Sequence, residues 1–179
     1  MMSRKVVLIG SMGAGKTSLG KRLAKRLGWA FVDTDYEICM RTGVDIPTIF
    51  EREGEAGFRL RERAMLEEVL TRSGDAVVAC GGGVVLSAEN RRMISRQFLV
   101  VFLDVSVGRQ LLRISGDKNR PLVNVQDQKA RLMQLRDERL GLYEGLADIR
   151  ISTDANNFAQ TLKKLCLAVK AQSGGFNVC

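Results

Sequence analysis

The chain has 179 residues with 28 Lys plus Arg against 20 Asp plus Glu, a net charge of +8, which fits one domain with a real core and not two large ones. No apolar run is long enough to span a bilayer, the basic residues are interleaved with acids, and aromatics are few, so no membrane and no nucleic acid are expected as partners. Histidine is absent, which removes the commonest general base and leaves proton transfer to carboxylates or lysines.

Met1–Lys5 runs straight into the apolar run Val6–Ile9, leaving no room for a targeting peptide, so a cytoplasmic chain, or one already trimmed, is expected. Next comes Gly10-Ser11-Met12-Gly13-Ala14-Gly15-Lys16-Thr17, the spelling G-x-x-x-x-G-K-[ST] of a phosphate-binding loop. A loop that turns successive N–H groups toward a triphosphate needs backbone angles that glycine adopts without strain, here at Gly10, Gly13 and Gly15. Leu19, Leu23, Ala24 and Leu27 repeat at helical spacing after it, so a helix N-terminus adds an anion site. ATP contacts are expected from Gly13, Ala14, Gly15, Lys16, Thr17 and Ser18. Lys16 reaches the β- and γ-phosphates, and the Thr17 hydroxyl suits Mg²⁺.

Gly28 stops that helix, and a second strand, Trp29–Val32, delivers Asp33-Thr34-Asp35. Ligands bind beyond the carboxyl ends of parallel strands, so this acidic pair should face the phosphate loop, although either acid could instead cap the following helix. A turn and short helix over Ile46–Gly54 precede a long amphipathic helix from Glu55 to about Arg72. Ala76–Cys80 reads as a strand buried on both sides, ended by Gly81-Gly82-Gly83, which lets another molecule approach the backbone or simply turns the chain.

Ser87 caps a helix to Arg96, Phe98–Leu103 is a further buried strand, and a helix spans about Val107–Ile114. Residues 115–126 are polar and aperiodic, the best candidate for a mobile lid, with Arg120 able to bring positive charge to a transferring phosphoryl group. A long helix from Gln128 to about Leu146, a last strand Ile149–Ile151 and a helix over about Asn157–Gln172, with Phe158, Leu162, Leu165, Cys166 and Val169 on its core face, complete the chain before a frayed tail. Cys39, Cys80, Cys166 and Cys179 are too scattered for a zinc site or disulfide framework. Strands alternating with helices specify an α/β, three-layer domain over residues 1–179, with a central parallel sheet of about five strands and helices on both faces.

Taken together, the phosphate loop, Asp33-Thr34-Asp35, Phe58-Arg59 with Glu62, Gly81-Gly82-Gly83, Arg120-Pro121-Leu122 and Arg139 four residues before Tyr143 closely resemble shikimate kinase, a P-loop kinase of the nucleoside monophosphate kinase fold class. The resemblance runs from about Lys5 to Leu165 and implies transfer of the γ-phosphoryl of ATP to the 3-hydroxyl of shikimate, on the way to chorismate and the aromatic amino acids. It implies an acceptor region over about 33–62, with Asp35 on the ring hydroxyls and as proton acceptor, Arg59 and Arg139 on the carboxylate, and Gly81, Gly82 and Gly83 close to the substrate. Lys16, Asp35 and Arg120 would be catalytic, Asp33 and Thr17 would hold Mg²⁺, and Arg113 would stack on adenine. A monomer is expected. The chain departs from the family's pattern in lacking a proline between Arg139 and Tyr143, and in lacking an arginine and proline in the loop Ser152–Asn157. Rival readings are a gluconate or nucleoside monophosphate kinase of the same fold class, a non-catalytic interaction protein, and a nucleic-acid-binding P-loop protein whose affinity would fall steeply with salt.

Overall fold

The computed structural model describes residues 3–95, 98–114, 126–155 and 157–172. The expected lid, all but its last residue, with Arg120, and the tail beyond Gln172 lie outside them.

Five strands form one sheet: β1 (Lys5–Ile9), β2 (Ala30–Asp33), β3 (Ala76–Ala79), β4 (Leu99–Asp104) and β5 (Ile149–Ser152). Their order is β2-β3-β1-β4-β5 and every pairing is parallel, with Val7 opposite Val78 on one side and Val100 on the other. β1 is central, and its residues are buried throughout because both faces are covered. Val7 and Ile9 point into one core with Phe58, Leu66, Phe102 and Tyr143, while Val6 and Leu8 point into the other with Leu23, Leu103 and Leu165. This two-residue alternation is the pleat of a strand between two helical layers.

The helices are α1 (Lys16–Leu27), α2 (Thr34–Thr42), α3 (Ile46–Thr71), α4 (Ala88–Ser95), α5 (Val107–Ile114), α6 (Gln128–Leu146) and α7 (Phe158–Gln172). α1 ends as its glycine demands: Gly28 has φ 68°, and its N–H returns to the carbonyls of Ala24 and Lys25. α3 joins the two expected helices across a kink at Gly54, whose φ of 69° and ψ of −178° are not helical. The last helix differs from expectation at its start, because Phe158 is 46% exposed and Thr161 takes the core position instead. Cys39, Cys80 and Cys166 are free thiols, and among the described residues no helix is long and apolar enough to cross a membrane.

Candidate active site

Gly10, Gly13 and Gly15 all have positive φ (144°, 74° and 88°), as the phosphate loop's spelling requires. Gly10 is doubly constrained, since a Cβ there would stand 2.3 Å from the Leu103 carbonyl oxygen. Gly15 precedes α1 with no side chain capping the helix and no acid in its first turn, which leaves the N-terminal N–H groups and the positive end of the dipole for an anion. The Lys16 ammonium arches back over the loop, donating to the carbonyls of Gly10 (2.7 Å) and Ser11 (2.9 Å).

The acidic pair at the end of β2 divides its work. Asp33 caps α2, accepting from the N–H groups of Asp35 and Tyr36, and its other oxygen accepts from the Thr17 hydroxyl at 2.7 Å. Capping and a ligand-facing position are thus compatible in one carboxylate. Asp35 lies in the first turn of α2 and presses on the α-carbon of Gly81, where a Cβ would meet its Oδ1 at 2.7 Å.

Glu62, 1% exposed on α3, also presses on Gly81, with Oε1 2.9 Å from the same Cβ position, while its Oε2 accepts from Arg59 at 2.8 Å. Burial pushes the Glu62 carboxyl above its ordinary range, against the pull of Arg59 and Arg139. The guanidinium of Arg59 lies over Gly83, where a Cβ would come within 2.3 Å of its nitrogens. The triple glycine therefore makes room for the chain's own carboxylates and arginine, and none of its three residues needs a positive φ. Arg139 on α6 is 5% exposed, and its Nε has no hydrogen-bond partner among the described residues.

α5 holds the phosphate loop from behind. The buried Gln110 amide donates to the Met12 carbonyl (2.9 Å), and Arg113 donates to the Gly13 carbonyl (2.9 Å) and to the hydroxyl and carbonyl of Thr153.

One cavity of about 580 Å³ brings together Gly13, Gly15, Lys16, Thr17, Ser18, Asp33, Asp35, Arg59, Gly81, Gly82, Gly83, Arg113 and Arg139. Ala14 lines an adjoining cavity of about 300 Å³ with Arg113, Thr153, Ala155 and Phe158. Among the site residues predicted from the sequence, Arg120 alone lies outside the described chain. Sequence reasoning left Glu62, Gln110 and Tyr143 without roles. For Glu62 a signal was present: an acid three residues after Arg59, on the helix face that buries Phe58, Met65 and Leu66, needs a partner.

A central parallel sheet, a glycine loop feeding a helix N-terminus, and a carboxylate and two arginines across the same cavity define a P-loop phosphotransferase with a small anionic acceptor. The shikimate kinase family model matches residues 12–170, and the chain belongs to that family. It is 47% identical over 160 residues to a shikimate kinase of Thioalkalivibrio sulfidiphilus, covering 89% of this chain and 84% of the relative. To one from Psychrobacter sp. it is 46% identical over 163 residues, covering 91% and 90%. A solved shikimate kinase of Acinetobacter baumannii, in complex with shikimate, superposes with a TM-score of 0.91 at 39% identity, covering 95% and 94%.

Proposed function

We propose that the protein transfers the γ-phosphoryl group of ATP to the 3-hydroxyl of shikimate, giving shikimate 3-phosphate for aromatic amino acid biosynthesis. The observation that carries the acceptor assignment is Arg139: a buried guanidinium with an unpartnered Nε, opening on the cavity that also holds the phosphate loop. Such a group needs an anion, and the planar fork of arginine suits a carboxylate.

The loop N–H groups, the α1 N-terminus and Lys16 hold the triphosphate, with Lys16 exchanging its two loop carbonyls for phosphate oxygens. The nucleoside lies over Arg113 toward the adjoining cavity. Arg59 and Arg139 grip the acceptor's carboxylate, and Glu62 keeps the Arg59 guanidinium in place. Asp35 binds the ring hydroxyls and accepts the 3-hydroxyl proton as the oxygen attacks phosphorus. A loose phosphoryl-transfer transition state asks more of this positioning than of base strength. Arg120 adds positive charge at the phosphates, a role that rests on the family's pattern alone.

The Thr17 hydroxyl and Asp33 carboxylate are all-oxygen donors 2.7 Å apart at the mouth of the phosphate loop, a set that fits Mg²⁺ arriving with ATP. Among the described residues no cluster of three or more carboxylates or thiols would hold a metal alone, in keeping with an ion whose other ligands are phosphates and water. When bound, the ion neutralises charge on the β- and γ-phosphates. The whole chain acts as one domain and as a monomer.

The test is ADP release by purified protein with ATP and Mg²⁺, offering shikimate, gluconate, a nucleoside monophosphate or no acceptor. Shikimate alone should stimulate release. Stimulation by gluconate or the nucleotide instead would replace the acceptor assignment.

A further inference from the structure

The donor loop and the acceptor cradle belong to different parts of the chain, and they meet at Gly82, whose carbonyl one phenolic oxygen holds. Tyr143 is 1% exposed, and its ring stacks on Phe102 with centroids 5.0 Å apart and planes inclined by 18°. Its hydroxyl donates to the Gly82 carbonyl, and the Ser11 and Arg139 side chains act electrostatically on the same oxygen. A phenol has one proton to give, and here the Gly82 carbonyl takes it. Ser11 belongs to the phosphate loop, Gly82 to the glycine cradle and Arg139 to the anion-binding pair.

We propose that Tyr143 is a positioning residue that sets the glycine cradle and Arg139 for the acceptor while tying both to the phosphate loop. The backbone supplies the mechanism. In a trans peptide the C=O and N–H point in opposite directions, so the pull of Tyr143 on the Gly82 carbonyl fixes where the Gly83 N–H points. The N–H groups of Gly82 and Gly83 make no hydrogen bond among the described residues, and both residues line the acceptor cavity. Gly82 itself packs on the phosphate loop, with its Cβ position 3.5 Å from the Gly10 oxygen and 3.6 Å from the Met12 nitrogen. α6 is pinned on either side of Arg139: Arg136 donates to Asp104 and to the Val105 carbonyl at 2.9 Å each, and Tyr143 lies one turn beyond. Loss of the phenolic proton bond would free the cradle and one flank of the arginine together.

This inference rests on the shikimate kinase reading, and the experiment separates the two. Wild-type protein, Tyr143→Phe, Ser11→Ala and the double variant are compared by kcat, by nucleotide affinity alone and by shikimate affinity alone. Phe keeps the stacked ring, so the fold is retained. Tyr143→Phe should weaken shikimate binding about tenfold with nucleotide affinity little changed, the scale of one buried hydrogen bond with a charged neighbour. Ser11→Ala should lower kcat with near-normal shikimate affinity, and the double variant should match Tyr143→Phe in kcat, because both act through one oxygen. Unchanged shikimate affinity in Tyr143→Phe, or additive losses in kcat, would overturn the proposal. Absence of shikimate-dependent turnover in the wild type would overturn the functional reading instead.

Discussion

The phosphate loop and the acceptor cradle face each other across one cavity and are built on opposite principles. The loop is contiguous: eight residues from Gly10 to Thr17, held by positive φ angles, by a helix terminus and by side chains of α5 reaching its carbonyls. The cradle takes Asp35 from α2, Arg59 and Glu62 from α3, Gly81–Gly83 after β3 and Arg139 from α6, and holds them by charge and close contact of side chains. Backbone recognition tolerates substitution of most loop side chains, whereas a cradle of buried charges depends on each member. Glycine substitutions in the donor loop should therefore fail through folding, and changes in the acceptor half through affinity or rate.

The largest effect is expected at Asp35. Asp35→Asn removes the proton acceptor and keeps the shape, so kcat should fall about a thousandfold, within the range of a lost general base. ATP affinity, measured by titration without acceptor, should stay near wild type. A matching loss of ATP affinity would put Asp35 in the donor half.

Arg139→Ala should follow, lowering kcat/KM for shikimate about a hundredfold, because a charge-assisted fork disappears from a buried position. The KM for ATP should hardly move. An unchanged KM for shikimate would remove Arg139 from the cradle.

Two glycine substitutions sharpen the contrast. Gly10→Ala places a methyl group 2.3 Å from a backbone oxygen at a φ of 144°, with nothing flexible to yield, and should cost about 2–3 kcal/mol of stability, seen as a lowered Tm. Gly83→Ala meets only the far end of Arg59, which can swing away. Its Tm should stay close to wild type while the KM for shikimate rises about tenfold. The reverse pattern would mean that the two halves are not held as described.

The same contrast governs what could be read from the sequence. Strands β1, β3 and β4 are continuous apolar runs because both faces are buried, and the phosphate loop is spelled within eight consecutive residues. The cradle's members are legible only as a family pattern, since nothing local states that Gly81 must clear Asp35 and Glu62, or that Tyr143 reaches a carbonyl 61 residues away. Helix ends were the weakest ground. Phe158 falls on an apolar stripe, but it opens α7 and stands on the rim of a cavity, where Thr161 rather than the aromatic ring meets the core.

The smallest predicted effect has a distinctive pH signature. Glu62→Gln keeps an acceptor oxygen for Arg59 and removes the charge, so the KM for shikimate should rise about fivefold at neutral pH. Burial raises the folded-state pKa of Glu62, so on acidification the wild type loses this anchoring charge at a higher pH than an ordinary glutamate would. The acid limb of kcat/KM should begin correspondingly early in the wild type and lose that component in Glu62→Gln. Stability runs the other way. A carboxyl with a raised folded-state pKa contributes stability that is fully present below its unfolded pKa and is lost as pH rises through the folded one. At this residue, then, the pH range that favours acceptor binding is the range in which the fold tolerates a buried charge. Parallel pH profiles of shikimate affinity and Tm should move in opposite directions for the wild type relative to Glu62→Gln, and profiles that moved together would remove Glu62 from the acid limb.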